Sequence, residues 1–309
     1  MLRSWLHRHH AAVTIAGSLL VAAALAFGLW GKRTDFAAAL QLAPLWILAA
    51  AILLHIAWLV ARSEAWHVCV GAAGGDVERR RLYRAAAVGY LGNLFNSSFG
   101  LGVRIAALRR SAPVESPGVG VLITAEMPIV VIEIALAAIC SFTLVGPLNI
   151  PWWTPIIALA VAGGIVYALT RLADKKRDGV WKGIAVMRGL RHRNLIIALT
   201  IGAVLAQVFR NWLVLKGIGI DVTILDSVAL LVASAAIGLL PVGPSLGITS
   251  SILILGSKGV AAVAAAGALL TATGAVGALC FASWALADRF RTRKAEAEAA
   301  EAVSERPSL

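Results

Sequence analysis

The apolar residues of this chain fall into long stretches that polar residues seldom interrupt, rather than into the spaced pattern of a soluble amphipathic helix. A stretch of roughly 20 such residues crosses the hydrocarbon core of a bilayer. We predict membrane-spanning helices at about 11–30, 42–61, 119–145, 154–171, 195–215 and 259–287. The first follows a basic flank, as a signal peptide does, but its apolar stretch is longer and no A-x-A cleavage pattern precedes Gly31. We therefore interpret it as a span.

Two further apolar segments, 83–108 and 225–256, are broken near their centres by residues that disfavour helices. Irregular backbone inside a membrane is tolerated only where protein or a wet cavity satisfies its polar groups. The breaking residues are Asn93, Asn96, Ser97, Ser98, Gly100 and Gly102 in the first segment, and Pro241, Gly243, Pro244 and Gly247 in the second. Each segment is thus predicted to be two short helices joined within the membrane.

Composition and the placement of charge set the topology. Sixty per cent of the 309 residues are apolar and only 14% are charged, with a mean hydropathy of +0.84. Of the 28 Lys and Arg residues, 22 lie in segments 1–10, 62–84, 109–110, 171–193 and 288–309, whereas four lie in 31–36, 216–221 and 257–258. Because positive charge stays on the cytoplasmic side, we expect the N-terminus (1–10) and the tail (288–309) to be cytoplasmic. The net charge of +12 then faces anionic lipid headgroups and does not indicate nucleic acid as a partner.

The same rule puts both flanks of segment 83–108 in the cytoplasm and both flanks of segment 225–256 outside. Two opposed re-entrant helical hairpins satisfy this requirement, and eight full spans with shorter loops are the alternative layout. We predict an all-α membrane protein with about six transmembrane helices and two re-entrant hairpins in one transmembrane domain, 11–287. The order span, span, hairpin, span occurs in 11–145 and again in 154–287 with opposite orientation. Such inverted-topology repeats recur in transporters.

Arg104 is one of several ionisable residues in apolar surroundings, where a charge is costly unless it is paired or solvated. It follows the break at Gly100 and Gly102, so we expect it near the start of a helix. There a guanidinium and unpaired N–H groups suit a phosphate or a carboxylate. Two other interpretations are an ion pair with Glu126 that locks the hairpin to the third span, and snorkelling to the interface. The first two are compatible if a headgroup and the carboxylate compete for Arg104.

Glu126 and Glu133 are seven residues apart and share one face of the third span. Pro128 lies between them and leaves the carbonyl of Thr124 without its helical donor, which predicts a kink. The two carboxylates either form a proton or cation pathway or pair with Arg104 and Arg210, and we favour pairing.

Two ionisable residues remain in the predicted spans. Arg210 forms a polar stripe with Gln207 and Asn211 on the fifth span, close enough to the outer end for us to expect snorkelling. His55 is expected to be buried and hydrogen-bonded. The candidate substrate-binding residues are Arg104, Asn93, Asn96, Glu126 and Arg210.

Several of these residues also carry a family resemblance that spans nearly the whole chain. The segments that carry it are Gly92-Asn93, Gly100-Leu101-Gly102-Val103-Arg104, Glu126 and Leu240-Pro241-Val242-Gly243-Pro244-Ser245-Leu246-Gly247. The chain resembles the lysylphosphatidylglycerol synthase transmembrane region, also called the flippase-like family. It departs from that pattern at Met127, where the family has Arg, at Pro244-Ser245, where two glycines are usual, and at Ser250, where Glu is frequent.

The resemblance implies movement of lipids between leaflets, either aminoacylated phosphatidylglycerol or polyprenyl-phosphate-linked sugars. We therefore expect a lipid translocase in a bacterial inner membrane, with anionic or polyprenyl-phosphate lipids as partners. The alternative is a non-transporting membrane partner of an envelope glycosyltransferase or lipid-modifying enzyme, docking through 171–193. Synthase activity in the family belongs to an added soluble domain. The chain has no Walker-type motif and no evident Ser/His/Asp or metal-ligand set, so we expect no enzymatic activity, cofactor or metal.

Overall fold

The computed structural model describes residues 33–95, 97–175, 178–237 and 246–304, and within these ranges the chain forms helices and no strand. The predicted first span at 11–30 lies outside the described residues, as do Asn96, Pro241, Gly243 and Pro244. The all-α prediction is confirmed for the part of the chain that the structure describes.

The α-helices follow one another with short connections. They are α1 (Arg33–Gln41), α2 (Leu45–Ala72), α3 (Arg79–Phe95), α4 (Ser97–Ser111), α5 (Val119–Thr124), α6 (Met127–Cys140), α7 (Val145–Leu148), α8 (Thr154–Lys175), α9 (Leu190–Gly217), α10 (Ile224–Ile237), α11 (Leu246–Leu255) and α12 (Val260–Ser304). Short 3₁₀ helices cover Ser141–Leu144, Gly179–Met187 and Gly256–Lys258.

Five helical stretches in the described chain are long and apolar enough to cross a membrane. They are Leu45–Ala72, Val119–Leu148, Thr154–Lys175, Leu190–Gly217 and Val260–Thr292. These correspond to the second to sixth predicted spans, so those five predictions are confirmed at the level of apolar helices. The last one continues without a break into the predicted tail and ends at Ser304.

The second span extends further than the sequence interpretation allowed. We expected it to end at residue 61, before Arg62, but α2 continues to Ala72. Gly74 follows with φ +86°, a left-handed conformation that glycine adopts without steric cost and that ends a helix. Arg62 therefore lies ten residues, or about 15 Å, inside the helix rather than in a loop.

The third span is interrupted at the position where Pro128 predicted a kink. α5 ends at Thr124 and α6 begins at Met127, so that Glu126 lies in the break between them. Pro128 occupies the first turn of α6, where its missing N–H leaves no helical hydrogen bond unmade. Beside the break, the hydroxyl of Thr124 donates to the carbonyl of Val180, on the 3₁₀ helix Gly179–Met187.

The two broken apolar segments form packed helix pairs, α3 with α4 and α10 with α11. Gly100 and Gly102 were expected at the first break, but they lie inside α4, and residue 96 separates the helices. Gly100 instead permits close packing, because a Cβ there would lie 2.8 Å from the carbonyl oxygen of Gly89 on α3. Gly247 likewise lies within the first turn of α11.

The second spans of the two proposed repeats meet in the described chain, where α2 and α9 pack extensively against each other. The pair α3/α4 packs on α12, and the pair α10/α11 packs on the segment from α6 to α7. The two halves differ in one respect, because α11 also packs extensively on α12 of its own half, whereas α3/α4 makes little contact with the third span.

Candidate functional site

Four charged side chains from α2, α4, α6 and the α5–α6 break form one connected network inside the protein. Arg62 Nη2 lies 2.9 Å from Glu126 Oε1, and Arg62 Nη1 pairs with Glu133. Arg104 Nη2 pairs with the second carboxylate oxygen, Oε2, of Glu126. The order is Glu133, Arg62, Glu126, Arg104, so two positive and two negative charges balance formally.

The network is enclosed most tightly at its Arg104 end. Arg104 and Glu126 are 5% and 8% exposed, whereas the Glu133 side chain at the other end is 32% exposed. The Arg104 guanidinium lies 4.0 Å from the ring centroid of Trp66, a fully buried residue one turn beyond Arg62 on α2. This stacking adds a cation–π interaction to the ion pair, and it holds the plane of the guanidinium.

Local helix geometry brings these groups to a common depth. Arg62 is ten residues from the end of α2, Glu126 is seven residues beyond the start of α5, and Arg104 is seven residues from the end of α4. At 1.5 Å per residue these positions lie about 10–15 Å from one end of the bundle. Glu126 lies in the break between α5 and α6, and its carboxylate contacts Arg62 on α2 and Arg104 on α4.

Arg62 is the site residue that the sequence interpretation missed. We assigned it to a cytoplasmic segment because a charged residue at the end of an apolar stretch is typical of a span boundary. Two signals favoured a longer helix: apolar residues resume at Val68, Cys69 and Val70, and the first glycine pair follows at Gly74. We had assigned Arg104 and Arg210 as the partners of the two intramembrane carboxylates, so no third cation was sought.

Of the three interpretations of Arg104, the ion pair is observed, and the buried side chain does not snorkel. The ion pair with Glu126 is present, so the lock between the first helix pair and the third span is confirmed as a contact. Arg104 lies in the middle of α4 rather than at its first turn, so the helix N-terminus contributes no donors beside it. Its Nε has no hydrogen-bond partner among the described residues. Asn93 is exposed and lies over Gly100, one turn from Arg104.

Both glutamates are paired, as we favoured, but the partner of Glu133 is not the one we expected. Glu133 pairs with Arg62, not with Arg210. The expectation that Arg210 neutralises one of these carboxylates is therefore wrong, because Arg210 belongs to a second cluster on α9.

That second cluster lies between α2, α9 and α12. Arg210 Nη1 donates to Gln207 Oε1 at 3.0 Å, and Nη2 donates to Thr273 Oγ1 at 2.9 Å and to the carbonyl of Leu270. Gln207 Nε2 lies 3.2 Å from His55 Nδ1 and donates to it, since the Gln207 oxygen already faces the arginine. The expectation of a hydrogen-bonded His55 is confirmed, although the residue is half-buried.

The expected snorkelling of Arg210 is wrong, because its side chain is only 6% exposed. The glycines of α12 explain why it fits inside. A Cβ at Gly274 would lie 3.2 Å from Arg210 Nη2, and a Cβ at Gly277 would lie 2.9 Å from His55 Cδ2. The glycine-rich stretch thus permits close packing, and it also provides space for two polar side chains.

The two clusters differ in electrostatics. The Glu126 network is neutral, whereas no carboxylate lies within 4 Å of Arg210 among the described side chains. Its Nε also has no partner in the part of the chain that the structure describes. No group of three or more His, Cys, Asp or Glu side chains that could hold a metal occurs in this part of the chain either.

Polar and aromatic side chains connect the two clusters along α2. The rings of His55 and Trp58 stack with centroids 5.1 Å apart, and Trp58 lies 5.8 Å from Tyr90 on α3. The Tyr90 hydroxyl lies 3.4 Å from Ser63 Oγ, beside Arg62 in the chain. His55 and Arg62 are seven residues apart, so one face of α2 carries both clusters, about 10 Å apart.

Comparison with known proteins confirms the family suggested by the sequence motifs. No curated protein and no solved structure matches this chain. Residues 14–282, most of the chain, match the sequence model of the family described as lysylphosphatidylglycerol synthase TM region, the membrane part of a lipid-modifying synthase. With its five apolar helices of spanning length, the chain is therefore a multi-pass membrane protein of the lysylphosphatidylglycerol synthase TM region family.

Proposed function

We propose that this protein moves an anionic or polyprenyl-phosphate-linked lipid between the leaflets of a bacterial inner membrane. The observation that carries the proposal is the face of α2 that joins the two buried polar clusters. A charged headgroup crosses hydrocarbon only where polar groups replace its water. The clusters at Arg62 and at Arg210 supply such groups at two depths, while the acyl chains remain in the surrounding lipid.

The lengths of the first helix pair agree with a re-entrant arrangement. α3 and α4 have 17 and 15 residues. At 1.5 Å per residue they reach about 23–26 Å, less than the roughly 30 Å of a bilayer core. We place the α3/α4 hairpin on the cytoplasmic side with both termini, because the basic segments of the chain lie there.

Exchange of partners at Arg104 is the chemical step that we assign to the path. In the unliganded arrangement Glu126 accepts from both Arg62 and Arg104. A lipid phosphate, like a carboxylate, accepts two N–H groups from one guanidinium. It can therefore bind Arg104 while Glu126 remains bound to Arg62. Arg62 is then shared between Glu126 and Glu133, so the three residues left behind carry one excess negative charge during the exchange. No ATP hydrolysis and no covalent step by this chain is part of the proposal.

A leaflet-accessibility assay in reconstituted vesicles tests this function. Labelled phosphatidylglycerol, its aminoacylated form and a polyprenyl phosphate are compared as substrates for the wild type, Arg104→Ala and Arg104→Lys. We expect movement of one lipid class and a fall of about tenfold or more in Arg104→Ala, since a hydrogen bond to a charged group is lost. Arg109→Ala is the matched control, because Arg109 is an exposed arginine on the same helix.

Equal lipid movement in the wild type and Arg104→Ala would remove Arg104 from the mechanism. No movement of any of the three lipids would overturn the translocase and favour the non-transporting partner. For that alternative the basic segment 171–193 is the docking surface. Its 3₁₀ helix, Gly179–Met187, buries Gly183 and Ile184 against the bundle and leaves Lys182 exposed.

A further inference from the structure

A groove of about 1090 Å³ lies between α3, α4 and α12, on the face of α4 opposite the Glu126 network. Val103, Ala107 and Arg110 of α4 line the groove, whereas Arg104 and Leu108 point into the protein interior. Its volume exceeds that of most sites for drug-sized ligands. The groove is thus a separate site from the polar path along α2.

The groove has a basic end and an apolar body. On all three helices, arginines line one end of the groove and aliphatic side chains line the rest. Along α3, Leu91 is seven residues beyond Arg84, and along α4, Val103 is seven residues before Arg110. Each interval corresponds to about 10 Å. The basic end is formed by Arg81, Arg84, Arg110 and Arg289.

Positive charge is in excess at this end. Arg84 Nε lies 3.7 Å from Asp288, which also pairs with Arg80 at 3.6 Å, outside the groove lining. Arg110 and Arg289 have no acidic partner within 4 Å among the described side chains. Two guanidinium groups from different helices in the lining of one groove are therefore available to an anion.

The apolar body is uncovered by protein. Val88, Leu279 and Leu286 line it and are 44%, 53% and 55% exposed. In a membrane protein such a surface is filled by lipid. A free phosphate would use only the arginines, whereas an amphiphile with an anionic head uses both parts of the groove.

We propose that this groove binds an anionic glycerophospholipid, with its phosphate between Arg110 and Arg289 and its acyl chains along Val88, Leu279 and Leu286. The site holds lipid from the leaflet on the basic side of the bundle. Binding here needs no movement of lipid across the membrane, so the site stands independently of the translocation path.

Photolabelling tests the site. The full chain is placed in phosphatidylcholine nanodiscs that contain a minor fraction of phosphatidylglycerol with a photoactivatable acyl chain, and the labelled peptides are identified by mass spectrometry. We expect labelling between Leu279 and Leu286. In Arg110→Ala/Arg289→Ala it should fall by roughly fivefold for each arginine removed. Arg109→Ala/Arg291→Ala is the matched control, because these neighbours do not line the groove.

A second variant separates the groove from general surface charge. Ala282→Trp keeps all four arginines but fills the groove, since Ala282 lies in its lining, and labelling should be lost. Equal labelling of the two double-arginine variants, undiminished labelling of Ala282→Trp, or equal labelling by a photoactivatable phosphatidylcholine would each overturn the proposal. Arg104→Ala should keep wild-type labelling, so loss of lipid movement and loss of this site are distinguishable.

Discussion

The two buried polar clusters of this protein hold their arginines in opposite ways. Arg62 and Arg104 share two carboxylates in a neutral network, and removing one member leaves another charge unpaired. Among the described residues, Arg210 donates to neutral acceptors only, which are Gln207, Thr273 and a backbone carbonyl. A paired charge is stabilised by its counter-ion, whereas an uncompensated one is retained despite its desolvation cost. Substitutions should therefore affect stability differently in the two clusters, because a lost partner leaves a buried charge unpaired only in the first.

The largest expected effect comes from breaking the neutral network. Glu126→Gln leaves Arg104 buried without a carboxylate, and loss of one partner of a buried pair costs about 3–5 kcal/mol. We expect a large fall in stability. It is measured as a lower temperature at which heating in detergent removes the monodisperse peak in gel filtration.

The control for that variant restores the charge balance. Arg104→Gln/Glu126→Gln removes one charge of each sign and leaves the Arg62–Glu133 pair intact. It should be more stable than Glu126→Gln alone. If the double variant lost as much stability as both single variants together, the two residues would not be coupled and the first half of the comparison would fail.

The first cluster also shows how far sequence reasoning reached. Pro128 predicted the interruption of the third span, and seven-residue spacing placed Glu126 and Glu133 on one face. The Arg104–Glu126 contact was one of three interpretations of Arg104 that the sequence left open. Arg62 was missed because local composition marks a span boundary by charge, whereas a paired charge is tolerated within the span. Pairing across helices depends on tertiary packing, which the order of residues alone does not contain.

The second cluster was predicted less well for a related reason. Arg210 near the end of an apolar stretch is typical of snorkelling, and only the packing of α12 decides otherwise. The order of residues does not show that Gly274 and Gly277 lie beside Arg210 and His55. Gly100 was misassigned to a break for the same reason, because a glycine at a helix crossing and a glycine at a turn look alike in the sequence.

An intermediate loss of stability is expected when the space that Gly277 leaves for the second cluster is filled. A Cβ at Gly277 would lie 2.9 Å from His55 Cδ2, so Gly277→Ala must displace the His55 ring or separate α2 from α12. Overpacking of this kind costs about 1–3 kcal/mol. We expect a lower unfolding temperature in detergent, together with weaker lipid movement if the His55–Gln207 contact supports the path.

Gly202→Ala on α9 provides the matched control for that substitution, because a Cβ at Gly202 would meet no neighbouring atom within 4 Å. Alanine is the better helix former by about 1 kcal/mol, so this variant should be as stable as the wild type or more so. Equal stability of Gly277→Ala and Gly202→Ala would show that the space beside His55 is not needed.

The smallest change in stability is expected at the uncompensated arginine itself. Arg210→Met removes the charge, keeps an apolar side chain of similar length and leaves no carboxylate behind. Thr273 Oγ1 retains its bond to the Leu269 carbonyl at 2.7 Å and lies 3.3 Å from the Leu270 carbonyl, so the Gln207 oxygen is the acceptor left without a partner. We expect the free energy of unfolding to stay within about 1 kcal/mol of the wild type, because the lost hydrogen bonds are offset by relief of a desolvated charge. Lipid movement in the vesicle assay should nevertheless fall as it does in Arg104→Ala.

A loss of stability as large as that of Glu126→Gln would mean that Arg210 is compensated within the fold, and the difference between the two clusters would disappear. Unchanged stability with unchanged lipid movement would instead leave the difference in charge balance intact and remove Arg210 from the path.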